Sequence, residues 1–188
     1  MNQVYAAAAD LHNFCLGRGW EFCFIGGVAL QRWGEPRQTL DADLTLLTHF
    51  VYDEDYIDTL LSAFPARLSD AREFAKRARV LLLRHPNGVG LDIALGGLPF
   101  EVSSVARSSD WQAVPGLSLR TCSAEDLIVH KVFAARAQDW ADVERILQRQ
   151  GRRLDVELIE RELIPLLALK EAPENLTQFR ALLSRSIR

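Results

Sequence analysis

No stretch of this 188-residue chain approaches the ~20 consecutive apolar residues that span a bilayer. The opening segment MNQVYAAAADLHNF has no basic run leading into an uninterrupted apolar region, so a secretory leader is not expected. We therefore expect a cytoplasmic protein with no membrane partner. A basic excess is missing too: the formal net charge is −3, so no broad field gathers nucleic acid, and any RNA contact needs a local patch. Cysteine is scarce. Cys15, Cys23 and Cys122 are odd in number and form no C-x-x-C pair, which excludes a disulfide framework and suits reduced core thiols. The histidines His12, His49, His85 and His130 share no metal-ligand spacing, so each reads as a surface or turn residue. Internal repeats and low-complexity tracts are absent.

With 48% apolar and 25% charged residues, the chain can bury one core, with room for a small helical annex. Apolar spacing predicts a helix over 4–16, closed by Gly17 and Gly19. A short aromatic run at 21–25 predicts a strand, Gly26-Gly27 a turn, and 28–33 a helix. Alternation over 40–47 predicts a strand with one wet face, on which the acids fall. A helix over 55–64 is broken by Pro65. A buried strand around 80–83, the Asn87-Gly88 turn and a return strand over 89–95 form a predicted hairpin. Residues 117–121 read as another strand. Ser123-Ala124-Glu125-Asp126 resembles a capping box opening one long helix over 124–150. Two more helices, 155–169 with Pro165 kinking or splitting it, and 174–184, end the chain. We expect one domain over 1–150 and a helical extension over 151–188.

Asp41 and Asp43, two residues apart on a strand, project from one face, so their carboxylates can share a cation. Asp92 on the return strand joins them if the two strands are neighbours. Three acids with oxygen-only donors suit Mg²⁺ or Mn²⁺ against a triphosphate, and Asp92 is the expected base. Gly26 and Gly27, between a strand and a helix, leave backbone N–H groups open to a phosphate. Arg37 and Thr39 stand where the loop enters the acidic strand, and Arg37 can pair with an acid or grip phosphate. On the expected long helix, Lys131, Ala135 and Asp139 share a face, with Asp142 beyond; Lys131 is an expected nucleotide contact steadied by Asp139. Glu101, near Asp92 in the chain, is a cleft-lining candidate by position alone.

The run Gly26-Gly27-Val28-Ala29-Leu30 followed by Arg37-Gln38-Thr39-Leu40-Asp41-Ala42-Asp43 resembles the G-G-x-A-L and R-x-T-x-D-x-D motifs of the nucleotidyltransferase superfamily with a DNA polymerase β-like core, and within it the AbiEii/AbiGii toxin branch. Leu91-Asp92-Ile93 resembles the third-carboxylate strand. Glu125 to Lys131 (EDLIVHK), with Gln138-Asp139-Trp140-Ala141-Asp142-Val143, resembles E-D-L-I-x-x-K and its D-x-x-D helix. The resemblance covers roughly 22–147. It implies an α/β (α+β) fold, a mixed sheet flanked by helices with a C-terminal helical extension. It also implies NTP as substrate at Gly26, Gly27, Arg37, Thr39, Lys131 and Asp139, metal at Asp41, Asp43 and Asp92, and a catalytic set of those acids with Lys131. Relatives modify tRNA, proteins or aminoglycosides. Many superfamily members carry G-S where this chain has Gly27, which has no hydroxyl to offer phosphate; G-G is frequent in the AbiEii-like branch.

The expected function is Mg²⁺-dependent transfer of an NMP from an NTP to a hydroxyl of an unidentified acceptor, a tRNA, protein or small molecule, as a toxin–antitoxin-type component with an antitoxin-like partner. The alternative is a catalytically inactive member of the same fold that binds or regulates a partner.

Overall fold

The computed structural model describes residues 2–186; positions 1, 187 and 188 of the two expected segments lie outside the described residues. The first elements are α1 (Gln3–Leu16), β1 (Phe22–Phe24), α2 (Gly26–Trp33), β2 (Asp41–Leu47), α3 (Asp53–Ala63), α4 (Ala71–Ala78), β3 (Val80–Arg84) and β4 (Gly90–Gly96). There follow α5 (Pro99–Ala106), β5 (Ser109–Val114), β6 (Leu117–Thr121), α6 (Ala124–Ala134), α7 (Ala137–Gln150), a short 3-10 turn at Gly151–Arg153, α8 (Val156–Leu169) and α9 (Glu174–Ser186). The chain divides into two compact units. One holds the residues up to Val28 with Gln38–Cys122; the other holds Ala29–Arg37 with the described residues from Ser123 onward.

The first unit contains a six-stranded mixed sheet in the order β3-β4-β2-β1-β6-β5. Helix α1 forms because apolar residues recur at its period and Asn2 caps it, accepting from the Val4 N–H at 3.0 Å. Its Val4, Ala7, Leu11 and Cys15 are buried in the core with Phe22, Phe24, Leu44, Leu46, Leu81, Leu83, Leu91 and Ile93. Burying each large side chain contributes ~1.5–3 kcal/mol. In β2 the pleat sends Ala42, Leu44 and Leu46 into that core and turns Asp41 and Asp43 away from it. The β3–β4 hairpin closes as expected: the Asn87 side chain accepts from the Val89 N–H at 3.1 Å, and Gly88 takes φ 95°. Strand β4 then lies parallel to β2 and antiparallel to β3.

Within the helical unit, Ser123 caps α6 by accepting from the Asp126 N–H at 3.0 Å, and Asp155 caps α8 in the same way at 2.9 Å. Helix α6 packs against α7, α8 and α9. Leu127, Ile128, Val132, Val143, Ile146, Leu163 and Phe179 are buried without measurable exposure.

Three expectations are corrected. Gly26-Gly27 is not a separate turn but the first residues of α2. The long helix over 124–150 is two helices, because Ala135 takes a left-handed conformation, φ 58°, and ends α6. Helix α8 runs through Pro165 as a single element, so of the two expected effects the proline does not split it. Helices α4 and α5 and strand β5 were not expected from the sequence; β5 is largely exposed, so it lacks the alternation that marks a half-buried strand. No helix among the described residues is long and apolar enough to cross a membrane.

Candidate active site

The parallel register of β2 and β4 sets Asp43 directly opposite Asp92 and Asp41 opposite Gly90. Three acids 51 positions apart in the chain at their extremes thus share one face of two neighbouring strands. Gly26 and Gly90 keep the space around them clear: a Cβ on Gly26, already at φ +52°, would come within 2.1 Å of Asp43 Oδ2, and one on Gly90 within 2.1 Å of Asp41 Oδ1. The Gly27 N–H donates to Asp43 Oδ2 at 3.3 Å, so the first turn of α2 presents a donor to an anion. Thr39 covers Gly27, where a Cβ would meet its Oγ1 at 2.3 Å, and its hydroxyl donates to the Asp41 carbonyl at 3.1 Å.

A cation already stands among the acids. Arg67 forms an ion pair with Asp92 through Nη2, and its Nη1 lies 3.9 Å from Asp41 Oδ1. Burial raises the Asp92 carboxyl above the usual carboxylate range, Arg67 opposes this, and Asp43 and Asp41 push it further up. Among the described residues, no three His, Cys, Asp or Glu side chains converge as a ready-made metal cluster. The donor set of Asp41, Asp43 and Asp92 is nonetheless all oxygen, partly exposed and held clear by two glycines, which fits a hard divalent cation.

The helical unit contains a second polar cluster. The Lys131 ammonium is buried and donates to Asp139 Oδ1 at 2.9 Å and Asp142 Oδ2 at 2.8 Å. Arg37 grips Asp142 with both arms, Nε to Oδ1 at 3.0 Å and Nη2 to Oδ2 at 2.9 Å. Burial alone would raise the Asp142 carboxyl, but hydrogen bonds from Arg37, Lys131 and Gln138 outweigh it and hold the group down to about 2. Two cations against two carboxylates leave this network balanced. The helix break at Ala135 makes the contact: α7 turns back so that its Asp139 and Asp142 meet Lys131, rather than following it along one straight face.

Within the sheet unit, then, Asp41, Asp43, Asp92, Gly26, Gly27 and Thr39 come together; within the helical unit, Arg37, Lys131 and Asp139 do, with Asp142 as their hub. Arg67 was missed by sequence reasoning. It follows Pro65 in a segment with no motif and reaches the acids only because Ala66 bridges Leu83 on β3. Glu101 is the carboxylate that caps α5, accepting from the N–H groups of Gly97 at 2.7 Å and Leu98 at 2.8 Å. His12 is buried rather than superficial, His85 is buried but opens the expected turn, its carbonyl accepting from the Gly88 N–H at 2.8 Å, and burial pushes His130 down to about 4.

Two solved structures share this architecture. An antigenic nucleotidyltransferase-like protein from Paracoccidioides brasiliensis aligns over 96% of this chain and 93% of its own, with TM-score 0.53 and 15% identity. The antibiotic-resistance factor ANT(2'')-Ia aligns over 92% and 97%, with TM-score 0.53 and 14% identity. The mixed sheet and helices are those of a nucleotidyltransferase-like fold, which defines the class. Residues 18–185 match the family described as nucleotidyl transferase AbiEii toxin, type IV TA system, and the chain belongs to that family of nucleotidyltransferases. No curated protein sequence matches it.

Proposed function

We propose that this nucleotidyltransferase moves an NMP from an NTP to an acceptor hydroxyl with Mg²⁺ or Mn²⁺ held by Asp41, Asp43 and Asp92. The observation that carries the reading is the β2–β4 register, which sets Asp92 against Asp43 with Asp41 two residues upstream. When bound, the metal would neutralise triphosphate charge and ease deprotonation of the attacking hydroxyl. The Gly26-Gly27 start of α2 offers its N–H groups to a phosphate, and Thr39 shapes the floor beside it. Asp92 takes the proton of the acceptor hydroxyl as its oxygen bonds to the α-phosphorus, and pyrophosphate leaves with the electrons of the broken P–O bond. The raised affinity of Asp92 for protons supports that role. Arg37, Lys131 and Asp139 complete the reading as nucleotide-binding residues, Lys131 also as a catalytic one, on the family motif they match. The acceptor is a tRNA, a protein or a small molecule, and the protein acts in the cytoplasm as the toxin of a toxin–antitoxin pair; the family description supports the last point.

Calorimetric titration of each of the four NTPs, with and without Mg²⁺, into the wild type and an Asp41→Ala/Asp43→Ala double variant tests this. Metal-dependent binding that the double variant loses is expected. No binding by the wild type would overturn the transferase reading and favour a fold kept for partner recognition.

A further inference from the structure

Beside Asp41 lies an open cavity of about 380 Å³ lined by Arg67, Arg84, Asn87 and the Gly88–Gly90 backbone. It sits on the side of β2 away from Gly26-Gly27, because β4 and β3 flank β2 on one side and β1 on the other. Two arginines and one carboxylate, Asp41, supply its charged lining, a net positive charge. Among the described residues, Arg84 makes no ion pair, and the buried Arg67 Nε has no hydrogen-bond partner. The Arg67 guanidinium, which lines the cavity, is therefore committed to Asp92 and Asp41 through its Nη atoms, while its buried Nε has no partner. The backbone there is pinned: the Arg67 N–H donates to the Leu82 carbonyl at 3.0 Å and the Arg84 N–H to the Pro65 carbonyl at 2.8 Å. Any movement of the guanidinium is thus a side-chain movement.

Three carboxylates on one face need a counter-cation, and a guanidinium cannot shed its proton to become a poorer one. Arg67 and a divalent metal compete for the same charge. A tetrahedral oxyanion between Arg67 and Arg84 would offer the guanidinium a second, bidentate partner and weaken its hold on Asp92. We propose that this cavity is a subsite for a phosphate-type oxyanion, and that Arg67 couples its occupancy to metal binding by occupying the acids until an anion draws it away. The inference rests on the reading that Asp41, Asp43 and Asp92 bind metal.

Mn²⁺ binding to the nucleotide-free protein, followed by calorimetry with and without sulfate as the anion probe, tests the coupling. Arg67→Gln should bind Mn²⁺ about tenfold more tightly than wild type without sulfate, a coupling of ordinary size. Sulfate should tighten Mn²⁺ binding to wild type severalfold and leave Arg67→Gln unchanged. Arg84→Gln, on the exposed wall, should keep wild-type Mn²⁺ affinity and lose the sulfate effect, and it decides the matter if Arg67→Gln does not fold. Mn²⁺ bound by wild type and lost in Asp41→Asn, but with equal affinity in Arg67→Gln or a sulfate effect that survives in Arg84→Gln, would overturn the coupling and leave the metal reading standing. Failure of every form to bind Mn²⁺ would overturn both. A metal-free NTP titration in sulfate separates two sources of the anion: competition assigns the subsite to the nucleotide's own phosphates, independence to a phosphate on the acceptor.

Discussion

Asp142 is the residue on which the helical unit's polar cluster turns. Its side chain has no exposed surface, and two cations converge on it. Asp142→Ala leaves both without that partner and should cost about 3–5 kcal/mol, read as a shift in urea midpoint. The same carboxyl titrates in the unfolded chain near its ordinary value but in the folded protein at about 2. Its contribution is therefore complete above about pH 4 and is lost as pH falls from there toward 2; a stability-versus-pH series should flatten over that window in Asp142→Asn. Gly26 answers to a different force. Gly26→Ala forces a left-handed conformation costing ~1–2 kcal/mol and drives a methyl into the Asp43 carboxylate. Thermal melting should fall, and NTP titration should show the site disabled along with it.

Between α6 and α7 a single residue does the work that the sequence pattern assigns to an unbroken helix. Ala135 adopts φ 58° with its N–H donating to the Lys131 carbonyl at 2.8 Å, a left-handed helix end of the kind glycine usually makes. Ala135→Gly removes the Cβ strain and should stabilise the protein by about 1 kcal/mol, whereas Ala135→Val should destabilise it by at least as much; paired thermal melts decide the sign. Continuous apolar and helix-forming residues on both sides hid this break, since propensity reads segments and not the tertiary reward for turning α7 back onto Lys131. The β3–β4 hairpin is the opposite case, because its turn chemistry is local: Asn87 and Gly88 specify it by themselves.

On the scale of the whole molecule, all three cysteines belong to the sheet unit and are buried, with none in a disulfide. Burial pushes the Cys15 thiol up to about 12, far from the thiolate that reagents require. A thiol reagent should titrate none of the three in the native protein and all three in denaturant. In intermediate denaturant their reaction reports opening of the sheet unit alone, so a helical far-UV signal lost before the thiols react would show that the two units open separately.

The sequence by itself determined the strands that bear Asp41, Asp43 and Asp92, the hairpin between β3 and β4, and the family, because alternation, turn residues and motif spacing are local properties. Tertiary structure alone decided three things. Strand β4 lies parallel and in register beside β2, which a pattern of alternation leaves open. Arg67 reaches the acids through a bridge between a loop and β3. Lys131, Asp139 and Asp142 meet across a break instead of along a helix. Each depends on which distant backbones pair, and that is fixed by burying a common core, not by any residue's own preference.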